Sequence, residues 1–375
     1  MNAWHFHNPV RVRFGIDTLA EIGELIGTRS YALVTYPDPT FATLADRIEA
    51  LAGPALVRID GVEPNPSVTM LRRACAQLSA LPVVPQVLVA VGGGSVMDTA
   101  KVLAAEHGDF DAMLASLADG RPRVVRALPI IAVPTTSGTG SEVTCWATVW
   151  DPQHDRKLSL SREDLYPESV LVDPRLVVGL PPQPTIASGL DALSHALESI
   201  WNRHASPITR GLAIHAAREI LQALPRVVAA PADLDARSAM ALGALRAGLA
   251  FSNTRTALAH NISYAITLSL GVAHGIACSF CLPAVMQAAL GVDADCDAAL
   301  AEIFGDLAHA PAKLEDFLAT LGVDTDPAAH GVDPVQWRRI VTDAFDGARG
   351  RNFIGTLARF PQFDCELTTP AAVHS

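Results

Sequence analysis

The amino-acid sequence predicts an α/β domain with a parallel sheet over residues 1–180 and an all-helical domain over residues 181–375. A chain of 375 residues is too long for one ordinary hydrophobic core, so two domains are expected. In the first part, apolar runs alternate with segments of helical periodicity. After the sequence PPQPT at 181–185, helical periodicity recurs without a convincing strand, which places the predicted boundary there.

The strands predicted in the first domain are short apolar runs without polar alternation. Strands of this kind are typical of a parallel sheet whose two faces are both covered by helices. The predicted strands are 31–36, 55–62, 86–91 and 127–136, and the helices between them are 41–53, 67–81 and 96–108. A β-rich region extends from 142 to 181 and closes this half of the chain.

The predicted helices of the second domain begin at recognisable capping residues. Thr185 is predicted to cap a helix that runs to about Asn202. Ser206 followed by Pro207 matches an N-cap with proline at the first helical position, which predicts a helix to about Leu224. Further helices are predicted at 233–252, 256–268, 273–290, 296–307, 311–321 and 334–346.

Composition and charge exclude several classes of partner. A net charge of −11 argues against nucleic acid or an anionic membrane as the main partner, but it allows a basic pocket for an anionic small molecule. The N-terminus has no signal-peptide pattern, and no run of eighteen apolar residues occurs, so a cytoplasmic protein is expected. Cys278 and Cys281 form the sole CxxC pair and are interpreted as reduced, apolar residues one helical turn apart.

Two loops after predicted strands carry glycine and hydroxyl residues. The first, Gly92 to Ser95, lies before a helix, where free backbone N–H groups and the helix N-terminus favour a phosphate. It matches neither GxGxxG nor a Walker loop, so a plain tight turn is an open alternative. The second is PTTSGTGSE at 134–142. Together the loops predict a crevice for a diphosphate; neither matches the GxSxG pattern of a serine nucleophile.

Four residues of the helical domain form a candidate metal site. Asp191 and His195 are one helical turn apart and can hold one ion together. His260 and His274 would lie roughly 21 Å apart on one straight helix, so they can join the site only if Gly271 ends the helix and reverses the chain. One carboxylate and three imidazoles suit Fe²⁺, Zn²⁺, Co²⁺ or Mn²⁺ better than Ca²⁺ or Mg²⁺. Ordinary buried histidines are the alternative that spacing alone leaves open.

The motifs GGGSVMDTAK, PTTSGTGSEVT and GLDALSHALES, with the pair His260 and His274, resemble the iron-containing (group III) alcohol dehydrogenases. The resemblance implies an N-terminal dinucleotide-binding domain, a metal-binding helical domain and a reaction in the cleft between them. It implies a divalent metal, with Fe²⁺ expected and Zn²⁺ possible, that polarises an aldehyde while a nicotinamide delivers hydride. The metal ligands that it implies are Asp191, His195, His260 and His274. The residues that it implies for NAD or NADP are Gly93, Gly94, Ser95, Asp98, Thr135, Thr136 and Lys157.

Two positions depart from the pattern of this family. Many relatives have a further histidine where this chain has Tyr264, a residue that could donate a proton or simply pack. Many also have an aspartate directly after the first strand, where this chain has Tyr36, with Asp38 two residues later. Asp38 would repel a 2′-phosphate, which favours NAD slightly over NADP. Relatives are commonly dimers or larger, so a homo-oligomer is expected.

Basic residues near the predicted ligands suggest the substrate. Arg255, Asn202 and Arg203 lie close in sequence to the metal ligands, and Arg349 and Arg351 lie where the family's C-terminal region often lines the cleft. Cations there would suit an aldehyde with an anionic tail, although surface or interhelix positions are an alternative for each arginine.

The segments ALESIWNRHASP and AFSNTRTALAHNISY look like those of phosphonoacetaldehyde reductases in this family, which predicts reduction of phosphonoacetaldehyde to 2-hydroxyethylphosphonate. The alternatives are a general medium-chain alcohol or 1,2-diol dehydrogenase and a maleylacetate reductase. A lyase related to dehydroquinate synthase and a non-catalytic nucleotide-binding protein are more remote alternatives.

Overall fold

The computed structural model describes residues 3–119, 125–154 and 156–361. The N-terminal half is α/β and the C-terminal half is helical, as predicted. The N-terminal elements are β1 (Arg11–Phe14), α1 (Ile22–Ile26), β2 (Tyr31–Val34), α2 (Pro39–Ala52), β3 (Val57–Ile59), α3 (Val68–Ser79), β4 (Val87–Gly92), α4 (Gly94–Ala105), α5 (Phe110–Asp119), β5 (Ile130–Pro134), β6 (Trp146–Asp151), β7 (Arg156–Ser161) and β8 (Ser169–Val172). The C-terminal helices are α6 (Pro182–Ile200), α7 (Pro207–Ala229), α8 (Leu234–Thr254), α9 (Leu258–Leu270), α10 (His274–Ser279), α11 (Leu282–Ala289), α12 (Ala294–Phe304), α13 (Ala310–Thr320) and α14 (Pro334–Asp346).

The main sheet has six strands in the order β1-β8-β5-β4-β2-β3, and every described pairing is parallel. All residues of β2, β4 and β5 are buried, because helices cover both faces of the sheet. In the register of β4 and β5, Leu88 lies opposite Ile130 and Gly92 opposite Pro134. The loops that leave these two strands therefore start side by side at the carboxyl edge, where ligands bind in open α/β sheets.

The β-rich region at 142–181 divides between two sheets. β6 and β7 form a separate antiparallel hairpin in which Trp146 pairs with Ser161, whereas β8 joins the main sheet between β1 and β5. The sequence reasoning missed β1, α1 and α5. β1 and α1 are short, with four and five residues, and so offer little periodicity to detect.

The helical half is built on the contact among α6, α7 and α8. Thr185 does not cap α6: the helix begins at Pro182, and the Thr185 hydroxyl lies inside its first turn, donating to the Leu180 carbonyl. The helix predicted at 273–290 is two helices, α10 and α11. None of the helices in the described ranges is long and apolar enough to cross a membrane.

The two halves pack against each other through α8. Its residues Ala241 and Leu245 belong to the hydrophobic core of the α/β half, while Ala236, Met240, Ala244, Ala247 and Ala250 belong to the helical core. The segment that follows α8 contributes to the lining of the cavity described below.

Candidate metal centre and cofactor cleft

Three imidazoles surround one carboxylate oxygen in the helical half. The Nε2 atoms of His195, His260 and His274 lie 3.8, 3.3 and 3.9 Å from Asp191 Oδ1. Ligands held at about 2.1 Å from one tetrahedral ion are about 3.4 Å apart, so these spacings suit donors that share an ion. Asp191, His195 and His260 are buried, while the side chain of His274 is 30% exposed.

The four side chains come from three helices. Asp191 and His195 are one turn apart on α6, His260 is in the first turn of α9, and His274 is the first residue of α10. Between the last two helices, Gly271 ends α9 in the left-handed conformation, with φ of 69°. The predicted reversal at Gly271 is confirmed: the ring centroids of His260 and His274 are 5.4 Å apart.

A second glycine brings α10 into contact with α6. A Cβ atom on Gly275 would lie 1.8 Å from the backbone oxygen of Ala187, so no other residue fits at this crossing. His274, the residue before Gly275, is thereby held beside Asp191. Sequence reasoning did not identify Gly275, because its requirement comes from a contact between distant segments.

Glu198 orients one of the imidazoles. Its fully buried carboxylate accepts the backbone N–H groups of Ala257, Ala259 and His260, at 2.8, 2.6 and 3.2 Å. It also lies 2.7 Å from His260 Nδ1, which places the donated proton on that nitrogen and leaves Nε2 free to face Asp191. The signal that could have found Glu198 is its position one turn after His195 on the same helix.

The protonation states of Asp191, His195 and His274 suit ligands of a cation. Burial lowers the pKa of His195 to about 4 and also lowers the pKa of His274, so both rings are neutral near pH 7. Burial opposes ionisation of Asp191, but the surrounding imidazoles, His195 first, hold its pKa below the ordinary value. Burial opposes protonation of His260, yet Cys278, Glu198 and Asp191 raise its pKa well above the ordinary value, so a metal ion would displace a proton from this ring. Neutral imidazole and ionised carboxylate are the forms that bind metal.

Among the described residues, two buried polar atoms at the centre of the cluster have no hydrogen-bond partner. They are Asp191 Oδ1 and His260 Nε2, both turned toward the same point. Unpaired buried acceptors are costly unless something satisfies them, and a divalent cation would satisfy both at once. The residues therefore fit a divalent metal ion with oxygen and nitrogen ligands.

The cofactor side of the cleft is made of loops and a helix N-terminus. Gly93 is the N-cap of α4 and no side chain caps the helix, so the first-turn N–H groups are available to an anion. Side chains at these positions would fill the space: a Cβ on Gly94 would lie 2.8 Å from the Thr139 methyl group. The loop fits the diphosphate of a dinucleotide.

A buried lysine ties α4 to the second loop. Lys101 Nζ donates to Ser141 O and Oγ at 2.7 and 2.8 Å, and also to Thr144 Oγ1 and Trp146 O. Asp98, one turn earlier on α4, accepts from Ser141 Oγ and from the N–H of Thr148. α4 is thus tied both to the second loop and to β6. The sequence reasoning assigned Asp98 to the cofactor but gave Lys101 no role.

One cavity of about 410 Å³ joins the metal cluster to the glycine loop. Its size is in the range of small-molecule sites. Twelve of the predicted site residues line it: Gly93, Gly94, Ser95, Asp98, Thr136, Lys157, Asp191, His195, Arg255, His260, Tyr264 and His274.

Family comparison agrees with this geometry. Residues 9–174 match the family model for iron-containing alcohol dehydrogenase, and residues 185–356 match the model for the C-terminal part of the same family. The chain belongs to the iron-containing alcohol dehydrogenase family.

Several characterised members of this family are similar over most of the chain. A choline dehydrogenase from Bacillus subtilis is 35% identical over 76% of this chain and 73% of its own length. A phosphonoacetaldehyde reductase from Streptomyces viridochromogenes is 35% identical over 82% of this chain and 84% of its own length. Among solved structures, a sulfoacetaldehyde reductase from Bifidobacterium kashiwanohense in complex with NAD⁺ superposes with a TM-score of 0.88, at 28% identity over 94% of this chain and 95% of its own.

Four residues that the sequence reasoning placed in the site lie outside the described lining of the cavity. Asp38 caps α2 by accepting from Thr40 N at 2.7 Å, and the Thr135 N–H donates to Gly92 O. Asp38 and Thr135 therefore stabilise the ends of loops.

Asn202 and Arg203 follow the end of α6 and are absent from the described lining of the cavity. Asn202 donates to the backbone oxygen of Arg255 at 3.1 Å, and Arg203 Nε donates to Phe353 O at 2.9 Å. Asn202 therefore stabilises the backbone of Arg255, which lines the cavity, and does not line the cavity itself. Arg349 also lines the cavity, whereas Arg351 donates to the Asp346 carbonyl and is absent from the described lining.

Proposed function

We propose that this chain is an NAD(P)H-linked reductase of a small aldehyde with an anionic tail, with phosphonoacetaldehyde as substrate and 2-hydroxyethylphosphonate as product. One observation carries the proposal: Lys157, Arg255 and Arg349 line the cavity beside the metal cluster. None of the three forms an ion pair with a carboxylate among the described residues. Cations left without an acidic partner in a cavity are suited to bind an anion.

Tyr264 connects these cations to the metal cluster. Its ring is parallel to that of His274, with centroids 6.2 Å apart. Lys157 Nζ lies 3.8 Å from the Tyr264 ring centroid, and the Arg349 guanidinium carbon lies 5.3 Å from it. A substrate whose carbonyl end is at the metal cluster would therefore have both cations within reach of its other end. A two-carbon aldehyde has the short span that this arrangement requires.

Arg255 lies between α8 and α9, in the segment that leads to His260. It follows α8 with φ of 63°, a conformation that is uncommon for a residue other than glycine. Asn202 and Thr254 both donate to its carbonyl oxygen, at 3.1 and 3.0 Å. These contacts fix the backbone of Arg255, which lines the cavity, and so support a role in binding.

The residues of the cluster supply the chemistry of reduction. A divalent ion, when bound, stabilises negative charge that develops on the aldehyde oxygen. Asp191 and the three imidazoles would hold that ion, and Asp191 supplies one negative charge to it. Glu198 maintains the orientation of His260, and the glycine loop holds the dinucleotide on the opposite wall. We propose Fe²⁺ as the ion, with Zn²⁺ as the alternative.

Similarity to two reductases of charged aldehydes supports the substrate class. The names of the Streptomyces and Bifidobacterium relatives specify phosphonoacetaldehyde and sulfoacetaldehyde, each an aldehyde with a strongly acidic group on the next carbon. The Bacillus relative is named for choline, which is cationic, so similarity alone does not decide the sign of the charge. Lys157, Arg255 and Arg349, which form no ion pair among the described residues, favour the anion.

The test is an aldehyde panel in which chain length stays small and charge varies. Phosphonoacetaldehyde, sulfoacetaldehyde, lactaldehyde, propionaldehyde and betaine aldehyde would each be assayed with NADH and with NADPH. We expect the highest kcat/KM for an anionic aldehyde. Equal activity on propionaldehyde would favour a general alcohol dehydrogenase, and preference for betaine aldehyde would contradict the proposal.

Arginine variants test the same point within the protein. Arg255→Ala should lower kcat/KM for phosphonoacetaldehyde by on the order of 10²-fold, since a charge-assisted hydrogen bond to the substrate is lost. Activity on propionaldehyde should change little. Arg351→Ala is the matched control, because it removes a nearby arginine that donates only to the Asp346 carbonyl. A loss of less than about threefold for Arg255→Ala would remove this residue from the substrate site.

We further propose that NADH is preferred over NADPH. Asp38 is exposed at the N-terminus of α2, four residues after the end of β2, where its charge would repel a 2′-phosphate. Asp38→Asn removes the charge and keeps a residue that caps helices well. The variant should lower KM for NADPH by roughly tenfold and leave KM for NADH unchanged. An unchanged KM for NADPH would show that Asp38 does not select the cofactor.

We also propose a homodimer formed through β1. This strand is an edge of the described sheet, and its Val12 and Phe14 are 39% and 37% exposed, with Trp4 and Phe6 exposed in the preceding segment. An exposed apolar edge strand is a surface that a second copy of the chain can cover. Val12→Glu should shift the mass measured by light scattering to that of a monomer. Val335→Glu, at an exposed valine of α14, is the control that should leave it unchanged.

A further inference from the structure

A thiol lies among the proposed metal ligands. Cys278 Sγ is 3.6 Å from His274 Nε2, and the cysteine is fully buried. Donor atoms of Asp191, His260, His274 and Cys278 all lie within 4.8 Å of one another. In the part of the chain that the structure describes, this is the one compact group of such donors, and it includes a residue that the sequence reasoning took as ordinary core.

The position of Cys278 follows from the same helix crossing that places His274. The two residues are one turn apart on α10, so they share the face that Gly275 brings against α6. The hydrogen-bond contacts of the Cys278 thiol are with the two ring nitrogens of His274, at 3.6 and 3.8 Å. The thiol therefore faces the cluster.

The second cysteine of the CxxC pair has a different environment. Cys281 precedes α11, its thiol is directed at the backbone oxygen of Cys278 at 3.8 Å, and its side chain belongs to the helical core. The interpretation as an apolar core residue suits Cys281. It does not suit Cys278, whose sulfur is beside polar groups that lack partners.

We propose that Cys278 binds the same divalent ion as a thiolate, in addition to Asp191 and the imidazoles; this inference rests on the proposed metal centre. On binding, the S–H bond breaks, its proton leaves to solvent and a sulfur–metal bond forms, with no change of oxidation state. With Asp191, the thiolate supplies two negative charges, which balance a divalent ion in a buried site. A sulfur donor favours Zn²⁺ and Co²⁺ over Mn²⁺.

Cobalt substitution tests the inference without measuring turnover. The full-length protein would be stripped of metal and loaded with Co²⁺, and bound cobalt would be counted by elemental analysis. A thiolate ligand gives a near-ultraviolet charge-transfer band that oxygen and nitrogen ligands do not give. We expect the band in the wild type and in Cys281→Ser, and its loss in Cys278→Ser with cobalt still bound.

The other outcomes separate the two proposals. Bound cobalt without the band in the wild type, or a band that persists in Cys278→Ser, would overturn the role of Cys278 and leave the metal centre intact. A wild-type protein that binds no cobalt would overturn both. If Cys278→Ser fails to hold cobalt, X-ray absorption at the cobalt edge of the wild type decides: a sulfur scatterer at about 2.3 Å supports the inference, and oxygen and nitrogen alone refute it.

Metal selection gives a second readout. Offered equal concentrations of Zn²⁺ and Mn²⁺, Cys278→Ser should show a bound zinc-to-manganese ratio about tenfold lower than that of Cys281→Ser, because the soft ligand is lost. An identical ratio in the two variants would count against a sulfur–metal bond.

Discussion

The cofactor cleft and the metal centre face each other across one cavity, but they are built in opposite ways. The cleft is made of backbone N–H groups, glycines and hydroxyls at the ends of β4 and β5. The metal centre is made of charged and aromatic side chains from α6, α9 and α10. A backbone site depends on loop position, whereas a side-chain site depends on how helices pack. A substitution in the cofactor cleft should therefore impair cofactor binding and leave metal binding intact, and a substitution in the metal centre should do the reverse.

The largest effect is expected from removal of a metal ligand. His260→Ala should abolish stoichiometric metal binding and lower kcat/KM by on the order of 10³-fold, while NADH still binds in the other half of the cavity. Metal analysis, steady-state kinetics and NADH fluorescence measure the three quantities. His215→Ala, at an exposed histidine on α7 that contacts its own helix, is the control and should match the wild type. Normal metal content in His260→Ala would show that His260 is not a ligand.

The next largest effect is expected at the crossing of α10 and α6. Gly275→Ala places a methyl group where the Ala187 oxygen lies, so the helices must separate. We expect a loss of about 3 kcal/mol in the free energy of unfolding, together with weaker metal binding. Gly211→Ala, at a position of α7 with open space, should be neutral or stabilising. Equal free energies of unfolding for Gly275→Ala and Gly211→Ala would show that α6 and α10 accommodate the methyl group without loss of stability.

Glu198→Gln should weaken metal binding without removing a ligand. The amide cannot accept all of the N–H groups that the carboxylate accepts, so His260 loses its fixed orientation. Metal affinity, measured by competition with a chelator, should fall by about 10- to 100-fold. Glu219→Gln is a control at a half-buried glutamate that pairs with Arg246, outside the cavity. Unchanged affinity in Glu198→Gln would show that the orientation of His260 has another origin.

Lys101→Met tests the cofactor side of the cavity. It leaves the oxygens of Ser141, Thr144 and Trp146 without their shared donor, which should cost about 2 kcal/mol of stability and raise KM for NADH by roughly fivefold. Metal content should stay at the wild-type value, because the hydrogen bonds of Lys101 go to residues 141–146 and not to α6, α9 or α10. Lys313→Met, which removes one hydrogen bond to Phe304 O, is the control. Loss of metal in Lys101→Met would show that the two walls are not independent.

The smallest effect is expected at the chain reversal. Gly271→Leu forces a side chain into a left-handed conformation at a cost of about 1 to 2 kcal/mol, although the space around it is open. Gly331→Leu has the same conformation and open space but lies far along the chain from the ligands. Both should lose similar stability, and metal occupancy should fall only in Gly271→Leu. Full occupancy there would contradict the link between the reversal and the site.

Local patterns were sufficient to predict the central strands of the sheet and the helical half of the chain. Apolar runs such as 86–91 and 127–136 predict buried parallel strands because a strand covered on both faces has no polar side to show. The spacing of Asp191 and His195 predicts a shared face because one helical turn fixes it. Gly271 predicts the reversal because few other residues end a helix in this way.

Tertiary structure decided what the local patterns could not. Gly275 is required by an oxygen on α6, Lys101 by acceptors some forty residues later, and Glu198 by N–H groups about sixty residues later. In the folded chain, Asn202 stabilises the backbone of Arg255. Arg349 lines the cavity, whereas Arg351 is absent from its described lining. Tertiary structure also divided the CxxC pair, with Cys278 at the ligands and Cys281 in the core. Spacing along the chain describes one helix face at a time, whereas each of these roles arises where faces of separate elements meet.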